Sequence, residues 1–317
     1  MYAKERSPFR LLQISFFRCL LLLGALTTIF TFLSPYFLSY SNFDNILSAS
    51  TVIGLLALGV TFVIGSGGID LSIASVMALS GTTCALLLQN SSLGPLMAFI
   101  MCTSVGMIAG VLTGFLVNIT KAPSFIVTLG MLSVERALAF ILSDGMPIYG
   151  LPEHVTHLGQ GKVLSVSIPV VVLLAASLIA YATLHHLRFG THLLVYGDNP
   201  FAAESMGIHV NSLRLRIYGA CGLFSGIAGF VFMARTNAGD PTAGQNYELL
   251  AITAVILGGT KLFGGRATVL GTLLGVLCLG VLQNGLNLLA VSTYYQVLFV
   301  GVVLLGAALF ERFGAEP

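Results

Sequence analysis

Few residues of this sequence could do chemistry, and most of them lie inside apolar runs. Glu135 and Arg136 are adjacent charges deep in one such run, about 18 Å from its start at ~1.5 Å per helical residue. A charge at that depth in hydrocarbon costs at least ~2.5 kcal/mol. Side chains at i and i+1 leave a helix in different directions, so each needs its own partner or water. Two readings stand: an interhelical structural pair, or the wall of a hydrated cavity that hydrogen-bonds a hydroxyl-rich solute. Asp70 and Ser72 follow Gly65, Gly67 and Gly68. Here a tight turn with Asp70 capping the next helix competes with a hinge near a gate. Asn118, Gln283, Asn284 and Asn287 are uncharged polar groups near or within apolar runs, and Gln283 and Asn287 share a helix face. Interhelical hydrogen bonds and a wet pathway for a neutral solute explain these amides equally well.

Other chemistries find no support. His154 and His157 form H-x-x-H, but no further ligand lies near them, so we expect a solvated loop and no metal. The run Gly258, Gly259, Thr260, Lys261 to Gly264, Gly265, Arg266 is glycine-rich, yet it lacks the GxxxxGK[ST] order and follows an apolar run instead of a strand. We read it as an inner-side hinge with basic anchors. Without a nucleotide motif the chain has no means of hydrolysing ATP, and no cofactor is expected in it. No nucleophile, base or metal set clusters as an enzyme would need. The five cysteines all fall in apolar runs without CxxC spacing and read as small buried side chains. There is no basic tract for nucleic acid.

The segment from His185 to about Arg214 is the longest inner loop. It contains a compact helix signal. Asn199 is placed to cap free N–H groups, Pro200 suits the first helical position, and Gly207 suits a left-handed stop. Phe201, Ala202, Ala203, Glu204 and Met206 lie between, and a second helix start follows at Asn211. Two turns are not stable alone and need a surface to dock on. The exposed face, Phe201, Ala202, Met206 and Glu204, is apolar with one acid. Composition leaves two placements even: lying on the membrane or its own bundle, or inserting as a knob into a partner protein.

The elements that must position these residues follow from composition. Of 317 residues, 56% are hydrophobic and 8% are charged, against about 25% charged in soluble domains. Water cannot be the main solvent of such a chain. Its apolar runs approach the ~20 residues that cross a bilayer, and they are continuous, which rejects a barrel. We count ten candidate spans, at roughly 18–38, 46–65, 71–89, 95–119, 123–143, 166–185, 214–235, 247–260, 267–289 and 293–311, the eighth short and ending in glycine. The expected fold is therefore an all-α polytopic membrane protein, one domain over 1–317, with both termini cytoplasmic, a cytoplasmic N-terminus over 1–17 and the cytoplasmic loop over 185–214. The first run lacks a small-residue cleavage site and reads as an uncleaved span. With the N-terminus inside, eleven of the 14 Lys and Arg residues fall on the inner side; the exceptions are Arg136, Lys162 and Arg235. Glycines repeat every four residues at Gly106, Gly110 and Gly114, at Gly222 and Gly226, and at Gly271 and Gly275. Such stripes let helix backbones approach closely.

Four stretches carry a resemblance: VTFVIGSGGIDLSIASVMALSG (Val60–Gly81), PSFIVTLGMLSVERALAFILSDG (Pro123–Gly145), RFGTHLLVYGDNPFAAESMGI (Arg188–Ile208) and YELLAITAVILGGTKLFGGRATVLGTLLGV (Tyr247–Val276). In this order and spacing the chain resembles the ribose, xylose and galactoside-type permeases of bacterial ABC importers, over about residues 45–311. It departs from them at Glu135, usually an uncharged residue, and at Ala137, often glycine. The resemblance implies two permease subunits, alike or sister chains, in the bacterial inner membrane. It implies a coupling helix at Pro200–Met206 docked on a cytoplasmic ATPase subunit that binds ATP and Mg, and a periplasmic binding protein that delivers a sugar-like solute. Two alternatives stay in view: a branched-chain amino acid permease of the same class, and a self-sufficient secondary transporter, for which Glu135 is the lone candidate ion-coupling carboxylate.

Overall fold

A chain this apolar satisfies its backbone within helices, and the structure is helical almost throughout. The computed structural model describes residues 8–89 and 93–314. The helices are α1 (Pro8–Leu33), α2 (Tyr40–Gly65), α3 (Ile73–Gln89), α4 (Pro95–Thr120), α5 (Ser124–Leu142), α6 (Glu153–Gln160), α7 (Ile168–His185), α8 (Arg188–Asp198), α9 (Pro200–Ser205), α10 (Val210–Thr236), α11 (Tyr247–Leu257), α12 (Val269–Leu288) and α13 (Thr293–Gly314). Seven of them, α1, α2, α4, α5, α7, α10 and α12, are long and apolar enough to cross a membrane. The shorter α3 and α11, and Tyr294–Val303 within α13, are apolar as well. A helix thus occupies each of the ten expected segments, with α1 beginning ten residues before the expected start and ending five before the expected end.

Packing sorts the helices into centre and periphery. The apolar windows of α2 and α10 are 83% and 78% buried, those of α1 and α5 only 11% and 22%. Phe62 of α2 forms the hub of the core, its ring centroid 6.0 Å from those of both Phe189 and Phe224. Around the outside, Phe32, Ile141 and Leu178 turn large apolar side chains outward, as a surface facing lipid requires.

The glycine stripes face one another. A Cβ on Gly106 would collide with Gly222 and Gly226 backbone, and one on Gly110 with Tyr218 and Gly222, so α4 and α10 run antiparallel in backbone contact. Gly271 and Gly275 of α12 meet Gly258 and Ala254 at the end of α11 in the same way.

Two local expectations need correction, and the loop after α5, expected only as solvated, carries structure of its own. It holds β1 (Ile148–Tyr149), α6, β2 (Lys162–Val163) and β3 (Val166–Ser167); β1 pairs antiparallel with β4 (Ala238–Gly239), and β2 with β3. Helix α6 seats Gly159 against the Ala234–Arg235 backbone, and His154 Nε2 lies 3.1 Å from the Leu93 carbonyl oxygen. The inner loop carries two helices, not one: α8 precedes the short helix and lays Gly190, Leu193 and Tyr196 inward at three-residue spacing. Finally, α10 starts at Val210 with His209 before it, so Asn211 lies in the first turn and not at its cap.

Candidate functional site

The short helix α9 is built by the residues that signal it. Asn199 Oδ1 accepts the Ala202 N–H at 3.1 Å, Pro200 takes the first turn, Ser205 is the last helical residue and Met206 follows as its cap. Gly207 then turns left-handed at φ +80°, and Ile208 N–H donates to the Ala203 carbonyl at 3.1 Å. Ala203 is fully buried and Ala202 half-buried, whereas Phe201 is 83% and Met206 72% exposed, with Glu204 exposed between them. Two large apolar side chains standing out on two turns of helix make a patch suited to docking. An open groove beside them is lined by Glu204, Gly207, His209 and Asn211.

Behind α9, glycine backbones join three elements. Gly197 of α8 is wedged between the Gly65 carbonyl, which ends α2, and the Gly265 amide in the α11–α12 connection; a Cβ at 197 would strike both. Gly265 N–H donates to the Gly65 carbonyl at 3.0 Å. Gly67, Gly264 and Gly265 have φ of +80°, +84° and +80°, a region open to glycine but costly for other residues. Beside this junction, Arg214 Nε donates to Tyr196 Oη at 2.7 Å, its guanidinium 5.4 Å from the centre of that ring. Asn118 Nδ2 donates to the Asn211 carbonyl at 2.9 Å, and Asn118 Oδ1 accepts from Arg214 at 3.4 Å. Asn118 therefore ties α4 to the start of α10.

Deeper in the bundle the chain between α2 and α3 turns at Ser66 and Gly67 and stays non-helical to Ser72, with Ser66, Asp70 and Ser72 buried, which membrane proteins tolerate where protein covers the backbone. Ile69 N–H donates to Ser124 Oγ at 3.0 Å. Asp70, 2% exposed, accepts from the Ser72 N–H at 2.9 Å and the Ser72 hydroxyl at 2.8 Å. This is a turn just before α3 and not a cap on its inner N–H groups. Ser75 Oγ lies 2.6 Å from the Ser72 carbonyl and 2.9 Å from Glu135 Oε2, and Glu135 is 1% exposed. The structure thus brings Asp70, Ser72 and Glu135 together, with Ser75 of α3 and Tyr218 and Cys221 of α10 around them.

Arg136 turns away from this cluster and donates to the Pro241 and Ala243 carbonyls at 2.6 and 2.8 Å. Glu135 and Arg136 do not pair with each other. The remaining amides stand apart. Asn284 exchanges two hydrogen bonds with Asn42 at 2.8 and 2.9 Å, joining α12 to α2. Asn287 accepts from Gln296 at 2.8 Å, and Gln283 is half-buried on α12. Sequence reasoning missed Ser75 and Tyr218. Ser75 repeats Ser72 at three-residue spacing on a helix, which was the available signal. Tyr218 lies among ordinary core residues and gave none.

Outward-facing apolar helices around a buried polar break, with a short helix held out from the bundle, define a multi-pass helical membrane protein. Comparison with known proteins sharpens that class. Residues 42–308 match the family described as branched-chain amino acid transport system / permease component, and the chain belongs to that family. It is 40% identical over 289 residues to the ribose import permease protein of Bacillus subtilis, covering 90% of this chain and 89% of that one. It is 39% identical over 299 residues to the ribose import permease protein of Escherichia coli (93% of each chain), and 34% identical over 312 residues to the D-allose transport system permease protein of the same organism (98% and 96%). No solved structure matches.

Proposed function

We propose that this chain is the permease subunit of an ABC importer that moves a monosaccharide across the bacterial inner membrane by alternating access. The observation that carries this reading is near-full-length identity of 39–40% to permeases named for ribose import. The family description names branched-chain amino acids, but these near-full-length relatives carry ribose and allose in their names, which favours a neutral hydroxyl-rich solute. All ten apolar helices cross the bilayer, with both termini and the α8–α9 segment on the cytoplasmic side, as the distribution of Lys and Arg supports. The chain acts as one transmembrane domain. It pairs with a second copy or a sister permease, and receives solute from a periplasmic binding protein.

The residues Asn199–Gly207 form the coupling element, with Phe201 and Met206 inserting into a separate ATPase subunit that binds ATP and Mg. Closure of two such motors moves α9, and the backbone junction at Gly197 passes that movement to the ends of α2 and α11. Solute and ATP supply the differential binding energy that shifts the states. Asp70, Ser72, Glu135, Arg136, Asn118, Gln283, Asn284 and Asn287 remain gate or pathway candidates, and the first three act together.

The test is reconstitution in liposomes with and without the ATPase subunit and binding protein. ATP-dependent uptake of labelled ribose, absent without the ATPase, is the expected result. Uptake by the isolated chain would overturn the reading in favour of a secondary transporter.

A further inference from the structure

The hydrogen bonds around Glu135 contain more acceptors than protons. Ser75 has one hydroxyl hydrogen. Its oxygen is 2.6 Å from the Ser72 carbonyl and 2.9 Å from Glu135 Oε2. A carbonyl only accepts, and two oxygens at 2.6 Å with no hydrogen between them repel, so the Ser75 hydrogen belongs to the Ser72 carbonyl. The Ser72 hydroxyl also faces Glu135, but its single hydrogen is directed to Asp70 Oδ1 at 2.8 Å. Neither serine has a hydrogen left for the Glu135 carboxyl.

The second oxygen is worse placed. Glu135 Oε1 is buried and has no hydrogen-bond partner, in a side chain that is 1% exposed. An ionised carboxylate here would lack every donor, and a buried charge without partners carries a large desolvation penalty. No described Lys, Arg or His forms an ion pair with it: Arg136 is committed to the Pro241 and Ala243 carbonyls. The other titratable groups facing the cluster are Asp70, from the α2–α3 connection, and Tyr218 and Cys221, from α10. None of them is a cation.

We propose that Glu135 is a proton-binding site, held at neutral pH as the uncharged acid, with Oε2–H donating to Ser75 Oγ and Ser75 donating in turn to the Ser72 carbonyl. Every hydrogen then has one acceptor. The atom left without a partner is a neutral carbonyl oxygen, which costs far less than half of an ionised carboxylate. Asp70 has the donors that Glu135 lacks, since the Ser72 N–H and hydroxyl both donate to it. The proton ties α5 to α3 across the buried break that leads from the inner junction.

Infrared difference spectroscopy of the full chain in lipid nanodiscs tests this, in H2O and D2O at neutral pH, on the native protein, Glu135→Gln and Asp70→Asn. The expected result is a protonated-carboxyl carbonyl stretch in the native protein that shifts in D2O, is lost in Glu135→Gln and persists in Asp70→Asn. Absence of the stretch from the native protein overturns the proposal whether or not the variants fold. A stretch that survives Glu135→Gln but disappears in Asp70→Asn overturns it by placing the proton on the other carboxyl.

Discussion

Two glycine-rich regions of this molecule press backbone on backbone, and they differ in what surrounds the contact. Along the α4–α10 seam, Gly106, Gly110, Gly222 and Gly226 are all helical, and unbroken helices continue on either side. At the α8 junction, Gly197 meets residues that end one helix or connect two others, and Gly67, Gly264 and Gly265 hold positive φ. The seam removes side chains so that two rigid rods can touch. The junction removes them so that three chain segments can meet and turn. Only the junction lies next to a helix with exposed Phe201 and Met206. Glycine alone does not distinguish the two contacts; the ends of the neighbouring helices do.

The seam tolerates an added side chain least. Gly110→Leu should prevent recovery of folded protein, because even a Cβ at that position collides with Tyr218 and Gly222 backbone. Overpacking of a close-packed core commonly costs about 1–3 kcal/mol, and here the clash is with backbone that cannot rotate aside. Size-exclusion profiles in detergent would show aggregate where the native chain gives a symmetric peak. A normal profile with normal uptake would mean that the seam is looser than described.

At the junction the expected loss is of work more than of structure. Gly265→Ala places a side chain at φ +80° against Asp198, a strain of roughly 1–2 kcal/mol. Thermal unfolding should drop modestly while ATP-dependent uptake falls severalfold, with ATPase binding retained. Equal proportional losses of folded protein and uptake would reduce the junction to ordinary packing.

A smaller effect, confined to association, is expected on α9 itself. Phe201→Ala should weaken pull-down of the ATPase subunit by about 2 kcal/mol, the threshold at which an interface residue counts as a hot spot. Glu204→Arg should weaken it further by reversing the one charge on that face. Unchanged association in both variants would place α9 against the bilayer. The smallest effect belongs to the ion pair between the loop after α6 and the start of α2. Lys162 Nζ lies 2.6 Å from Asp44 Oδ2, and the Asp44 carboxylate raises the ammonium's pKa above its ordinary value. The group is exposed, and exposed pairs contribute little, so Lys162→Ala should leave both melting temperature and uptake unaltered.

The apolar runs, the α9 signals and the glycine stripes were legible because each rests on local spacing. Asn199, Pro200 and Gly207 act within nine residues, and Gly106 and Gly110 declare a face of one helix. The meeting of Asp70 with Glu135 was not legible: 65 positions separate them, and a non-helical break between α2 and α3 carries no helical period from which depth could be counted. Asn118 and Asn284 looked alike in sequence, yet one holds Asn211 and Arg214 and the other holds Asn42. Amides in apolar runs reveal a need for partners but not their identity. Helix α8 is hidden in the sequence because its inward face is only Gly190, Leu193 and Tyr196.

All five cysteines are free and buried within the bundle. A water-borne thiol reagent therefore finds no reactive target on the intact native chain. One cysteine substituted at an exposed site such as Phe201 or Tyr149 would stand as the sole reporter, without first stripping the native thiols. The molecule is in effect a ready-made silent background for mapping which side of the bilayer each loop occupies.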